Sequence, residues 1–148
     1  MTTLTYPFDE KTVRSLKAGE AVTITGRVYT GRDKFHKWIA DGGETPVDFR
    51  DGALYHCGPV CVADGDGWRV VSAGPTTSVR ENPYEPDFIA GSGVRLVIGK
   101  GGMDAATLAA MNPRFRSRLR IVKQTASPCW LLLEVKESAP LIHHCPTN

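Results

Sequence analysis

Three short stretches of this chain place cations, hydroxyls and glycines together in a way that suits a small anion. The first is Thr30-Gly31-Arg32-Asp33-Lys34-Phe35-His36-Lys37. Arg32 and His36 are four residues apart and share a face if the stretch is helical. Asp33 and His36 are the acid–base candidates. The second is Ser72-Ala73-Gly74-Pro75-Thr76-Thr77-Ser78-Val79-Arg80. Here Gly74-Pro75 forces a turn, three hydroxyls follow, and Arg80 ends the run. Hydroxyls donate and accept hydrogen bonds, and the guanidinium fork matches a carboxylate bidentately. The third is Ile98-Gly99-Lys100-Gly101-Gly102-Met103. Its glycines let a backbone approach a ligand closely, and Lys100 adds a point charge. The spacing is not that of a Walker A loop. Each stretch alone also fits a bland role: a solvated helix face, a Ser/Thr cap or a tight turn. Together they offer Arg32, Arg80 and Lys100 for a substrate with two carboxylates, with Thr76 and Thr77 between them.

The elements that must hold these stretches are short. Asp9 to Lys17 has Val13 and Leu16 at helical spacing and stops before Gly19. Ala21 to Tyr29 alternates like a half-buried strand, and Gly31 ends it. Arg32 to Ala40 reads as a short helix. Leu54 to Cys57, Trp68 to Val71, Arg95 to Ile98 and Trp130 to Val135 read as strands, and Asp104 to Met111 as a helix. All three anion-suited stretches therefore follow a strand end. The order lacks a clean βαβα rhythm, so the expected class is α/β with a mixed sheet and layered helices.

Composition narrows the functional classes. The chain has 148 residues, 41% hydrophobic and 23% charged, as in an ordinary globular domain. A formal net charge of +2 gives no reason to expect nucleic-acid or membrane binding. No apolar run approaches the roughly 18–20 residues that span a bilayer, and Met1 to Glu10 lacks an apolar signal core. The cytoplasm is the expected compartment. Cys57, Cys61, Cys129 and Cys145 match no strong metal spacing and are expected to be free, partly buried thiols. No metal ligand is expected in this chain.

In the order G-R-D-x-x-H-K, Y-x-x-G-P, S-A-G-P-T-T-S-x-R and G-K-G-G-M, the motifs resemble the β-subunit of L-tartrate dehydratase and class I fumarate hydratase. The resemblance runs from about Leu16 to Met111. It implies a swivelling β/β/α domain over residues 1–148. It also implies a partner α-subunit that holds a [4Fe–4S] cluster through three cysteines of its own and uses the open iron as a Lewis acid. The implied activity is reversible hydration of a four-carbon dicarboxylate, with this chain inactive by itself. Carried over to these positions, the resemblance implies that Arg32 binds a substrate carboxylate and that Thr76 supplies the hydroxyl nearest the reacting carbon. Thr77 and the Gly74-Pro75 turn position Thr76. Arg80 and Lys100 clamp the carboxylates as negative charge develops, which makes Thr76 and Lys100 the catalytic candidates. Asp33, His36, Gly74, Gly99 and Gly101 are supporting residues.

The chain also departs from that family. Lys34-Phe35 stands where relatives carry Ala-Ala. After Met111 a strand–loop–helix unit is missing, so 112–148 is expected to be a shortened part that leaves an exposed apolar edge for the α-subunit or a second copy of the chain. The tail His143-His144-Cys145 matches no known pattern. The alternative from another class is a non-catalytic small-acid-binding or assembly domain. A phosphate or nucleotide binder built on Gly99 to Gly102 is a third reading.

Overall fold

A computed structural model describes residues 2–17, 19–111 and 120–123. Its centre is a four-stranded, all-parallel sheet in the order β3 (Val28–Thr30), β4 (Ala53–Tyr55), β7 (Leu96–Gly99) and β8 (Arg120–Lys123). Parallel neighbours need crossovers, and the chain supplies them. Helix α2 (Asp33–Ala40) joins β3 to β4. Helix α4 (Ala105–Ala110) lies between β7 and β8. The connection from β4 to β7 is longer. It contains the hairpin β5 (Val60–Asp64) and β6 (Gly67–Ser72), a 3-10 turn at Ser78–Glu81, and helix α3 (Glu85–Ser92).

Both faces of the sheet are covered, as a parallel sheet requires. Side chains alternate along each strand. Ala53, Tyr55, Leu96 and Ile98 point to one side, where they meet Leu4, Phe8, Val13 and Leu16. That side is capped by a second small sheet, β1 (Thr2–Thr5) paired in parallel with β2 (Val22–Thr25), and by helix α1 (Glu10–Ser15). Leu54 and Val97 point the other way, into a core with Phe49, Phe88, Ile89 and Val94, with Phe35 and Ile39 packed against it. The result is a sheet–sheet–helix sandwich.

Several sequence expectations change here. The single strand expected over Ala21 to Tyr29 is two strands in two sheets. Gly26, at φ +108, breaks it and packs against Tyr6, so β2 joins β1 and β3 joins the central sheet. The expected mixed sheet is not found among the described residues: antiparallel pairing is limited to the β5–β6 hairpin and the isolated Cys57–Pro75 bridge at its base, outside the central sheet. That insertion also hides a βαβ rhythm the central sheet does possess. Strand β1 and helix α3 carry no strong sequence pattern and were not expected. The strand expected over Trp130 to Val135, the tail at His143-His144-Cys145 and most of the shortened part 112–148 lie outside the described residues.

The hairpin stands apart from both cores. Val60, Val62, Trp68, Val70 and Val71 are all exposed on it, Val60 at 57% and Val71 at 55%. Among the described residues no helix is long and apolar enough to cross a membrane.

Candidate functional site

The carboxyl ends of β3, β4 and β7 lie side by side, and the chain leaves each through one of the unusual stretches. Open α/β sheets bind ligands beyond their strands' carboxyl ends. After β3 comes Arg32. It occupies the N-cap position of α2 in extended backbone, and its side chain makes no cap bond. The guanidinium instead lies over Gly58, where a Cβ would sit 3.0 Å from Nη1 and 3.1 Å from Cδ. The second stretch returns from the hairpin. Pro75 bridges to Cys57 across the hairpin base, and Thr77 bridges in parallel to Lys100 in the third stretch. The three stretches thus form one rim.

The hydroxyls on this rim are held by backbone. Thr76 donates twice to the His56 carbonyl, from its N–H at 2.6 Å and from Oγ1 at 2.9 Å. Its oxygen keeps lone pairs free to accept. Thr77 is the N-cap of the 3-10 turn, yet its side chain makes no cap bond and is exposed, so the expectation of a plain Ser/Thr cap does not hold. The Ser78 N–H donates to the Lys100 carbonyl at 3.0 Å, which fixes the third stretch to the second. Gly101 has φ +80, a left-handed turn that leaves Lys100 exposed. Arg80 is exposed and reaches Asp33 at 4.0 Å, linking the second stretch to the first. Arg80 and Arg32 nearby, with a Glu81 contact, hold the Asp33 carboxyl below its ordinary range; the Glu81 contact is the largest cause.

One expectation from sequence is corrected. His36 does not share an exposed face with Arg32. It turns inward, is 1% exposed, and cannot touch a ligand on the rim.

Beneath the rim lies a polar cluster that sequence reasoning missed. His36 Nε2 is 2.9 Å and His56 Nε2 is 3.2 Å from the same Glu85 oxygen, and His36 Nδ1 is 3.2 Å from Glu81. His36 Nδ1 also faces the Arg32 carbonyl at 3.1 Å, and His56 Nδ1 meets Ser78 Oγ at 3.0 Å. All of these side chains are buried. Burial would lower the His36 pKa, but Glu85 and Glu81 outweigh it and raise it. Burial would raise Glu85, but the two imidazoles hold it below its usual range. Glu81 is pushed up to about 7, chiefly by burial, with Asp33 and Glu85 adding to it against His36. The only signal in the sequence was the spacing of Glu81 and Glu85, one helical turn apart, and nothing marked them as buried. His36, His56 and Glu85 bring three donor atoms within 4.8 Å of one another, close enough for a metal ion; each Nε2 lies at ion-pair distance from Glu85 without a hydrogen bond to it.

An iron–sulfur cluster would need thiolates. Among the described residues the free thiols are Cys57 and Cys61. Burial pushes the Cys57 thiol up, the reverse of what a cluster ligand requires. These residues do not fit such a group.

Comparison with known proteins identifies the family. The family model described as "Fumarase C-terminus" matches residues 2–118. A Geobacillus stearothermophilus protein named "Putative fumarate hydratase class I" is 49% identical over 110 residues, which is 74% of this chain and 21% of that protein. The L(+)-tartrate dehydratase subunit beta of Escherichia coli strain K12 is 38% identical over 105 residues, 70% of this chain and 52% of the subunit. A protein of Methanocaldococcus jannaschii named "Putative L(+)-tartrate dehydratase subunit beta" is 37% identical over 105 residues, covering 66% of this chain and 54% of that one. The chain therefore spans about half the length of the β-subunits it matches and about a fifth of the fumarate hydratase. With the matched region covering most of its length, and with the rim motifs inside that region, this chain belongs to the fumarase C-terminal domain family of hydro-lyases.

Proposed function

We propose that this chain is a single β-type domain that supplies the dicarboxylate clamp of a hydro-lyase, in a site completed by an iron–sulfur α-subunit. The observation that carries this reading is the convergence of Arg32, Thr76, Thr77, Arg80 and Lys100 on one rim at the carboxyl end of the sheet. Three cations on one rim suit two carboxylates, and a neutral hydroxyl between them suits a proton transfer next to a carboxylate. In the proposed roles Arg32 and Arg80 bind carboxylate oxygens. Lys100 offsets the charge that accumulates on a carboxylate as the adjacent carbon loses its proton. Thr76 faces that carbon. A threonine hydroxyl is a weak base at its normal pKa, so it needs a cation beside it to stabilise the deprotonated form.

Two features support a second chain. The described residues do not fit the cluster, which the partner would then hold. The β5–β6 hairpin rises from the Cys57–Pro75 bridge at the rim and exposes five large apolar side chains, a patch of the kind that marks an interaction surface. The sheet–sheet–helix layering also suits a swivelling β/β/α domain.

The test uses the chain reconstituted anaerobically with its α-type partner and assayed on fumarate, malate and tartrate. The chain alone is expected to be inactive and the complex active. Thr76→Ala and Lys100→Ala are each expected to lower kcat by about 100-fold or more with assembly intact. Full turnover by the isolated chain contradicts the shared site. Unchanged turnover in both variants favours a non-catalytic acid-binding domain.

A further inference from the structure

The rim residues are exposed, apart from the half-buried Thr76, and are joined largely by backbone, so something beneath them must fix their spacing. The buried cluster is in the right place. His36 follows Arg32 by one helical turn and its Nδ1 meets the Arg32 carbonyl. His56 carries the carbonyl that receives both Thr76 hydrogen bonds. Its Nδ1 meets Ser78, whose N–H holds Lys100. The Glu85 carboxylate, on a different element, α3, is the common partner of both rings.

Counting protons sharpens this. Both nitrogens of His36 face only acceptors: the Arg32 carbonyl and Glu81 on one side, Glu85 on the other. A doubly protonated ring meets the Arg32 carbonyl with a hydrogen bond and Glu85 as an ion pair at 2.9 Å. His56 Nδ1 meets the Ser78 hydroxyl, which can donate or accept. Glu81 and Asp33 sit together, and one proton shared between them avoids two adjacent carboxylates. The charged groups around His36 are thus Glu81, Glu85 and Asp33, with Arg32 and Arg80 at the surface. A buried charge left without its partner is costly, so removing one member disturbs the rest.

We infer that Glu85 is a positioning residue: by pairing with an imidazolium at His36 and with His56, it sets the spacing of Arg32, Thr76 and Lys100 on the rim. It touches no substrate and acts through the two rings. This inference rests on the function proposed above. It makes a claim about His36 that can be checked without that function.

The test has two arms. In the full wild-type chain, 15N chemical shifts of the His36 ring at neutral pH are expected to show an imidazolium. A neutral ring, or stoichiometric zinc uptake that abolishes the imidazolium signature, overturns the inference. In the reconstituted complex, Glu85→Gln is expected to lower kcat/KM by about 10- to 100-fold while the complex still assembles, since small displacements of positioned groups cost that much. Glu85→Asp is expected to recover part of the loss. If Thr76→Ala and Lys100→Ala abolish turnover but Glu85→Gln stays within about two-fold of wild type, the positioning role fails and the clamp stands. If the first two variants are also active, the functional reading itself fails. Should Glu85→Gln not fold, Ser78→Ala tests the same tie at His56, with the same loss expected.

Discussion

Gly99 ends β7 at the point where three parts of the site press together. A Cβ there would collide with Ser78 Oγ and lie 3.1 Å from His56 Nδ1. Ser78 Oγ cannot retreat without giving up its contact to His56 Nδ1. Gly99→Ala is therefore expected to destabilise the chain by about 1–3 kcal/mol, as overpacking does, and urea melts measure it. Glu81 supports a second residue-scale prediction. Its carboxyl is pushed up to about 7 from an ordinary 4.5, chiefly by burial. Between those values the folded chain binds this proton more than the unfolded chain does. The contribution therefore favours folding at the acid end and is lost as pH rises through 7. Glu81→Gln stays neutral throughout. It is expected to gain stability relative to wild type as pH rises across that window, with the two converging below it. Denaturant midpoints measured across the window check this, and a constant offset between the two proteins would refute it.

The helices here are short, and their ends matter more than their intrinsic propensity. Asp9 caps α1 through the Thr12 N–H, and Asp104 caps α4 through the Thr107 N–H. Both carboxyls are held below their usual range, with the backbone hydrogen bond the largest cause in each. Asp104→Ala is expected to lower Tm by about 4 °C near neutral pH, and Asp104→Asn by less. The deficit should shrink as pH falls below the ordinary carboxylate range, because the capping charge is then lost in wild type too. Thermal melts at neutral and acid pH test this. At the same scale, α2 shows why the Arg32–His36 spacing misled: the helix starts one residue after Arg32. Its first turn therefore carries His36 into the interior while Arg32 stays on the rim.

For the molecule as a whole, stability and site geometry depend on the same central sheet. Leu54 is fully buried between β4 and the helices, and its neighbour Tyr55 faces the other core. Burial and the nearby Cys57 push the Tyr55 hydroxyl up to about 12, so it does not titrate in the working range. Leu54→Ala is expected to cost about 2–5 kcal/mol. Because His56 directly follows β4, turnover by the proposed complex is expected to fall at temperatures where wild type is unaffected. Comparing melting curves with activity against temperature checks the coupling.

The sequence by itself marked the candidate rim residues, and their convergence is tertiary. Arg32, Thr76, Thr77, Arg80 and Lys100 were legible because they sit in glycine- and hydroxyl-rich stretches at strand ends, and local composition is enough to mark such loops. Helices α1, α2 and α4 were legible for a similar reason: caps and 3.6-residue spacing are local signals. Tertiary structure alone decided the rest. The division of Ala21 to Tyr29 between two sheets depends on Gly26 meeting Tyr6, a contact between distant positions. The all-parallel order of the central sheet emerges only once the β5–β6 insertion is set aside in space. The inward turn of His36, and its meeting with His56, Glu81 and Glu85, depends on three elements packing together. Burial and charge pairing are properties of that packing, and no local pattern of residues encodes them.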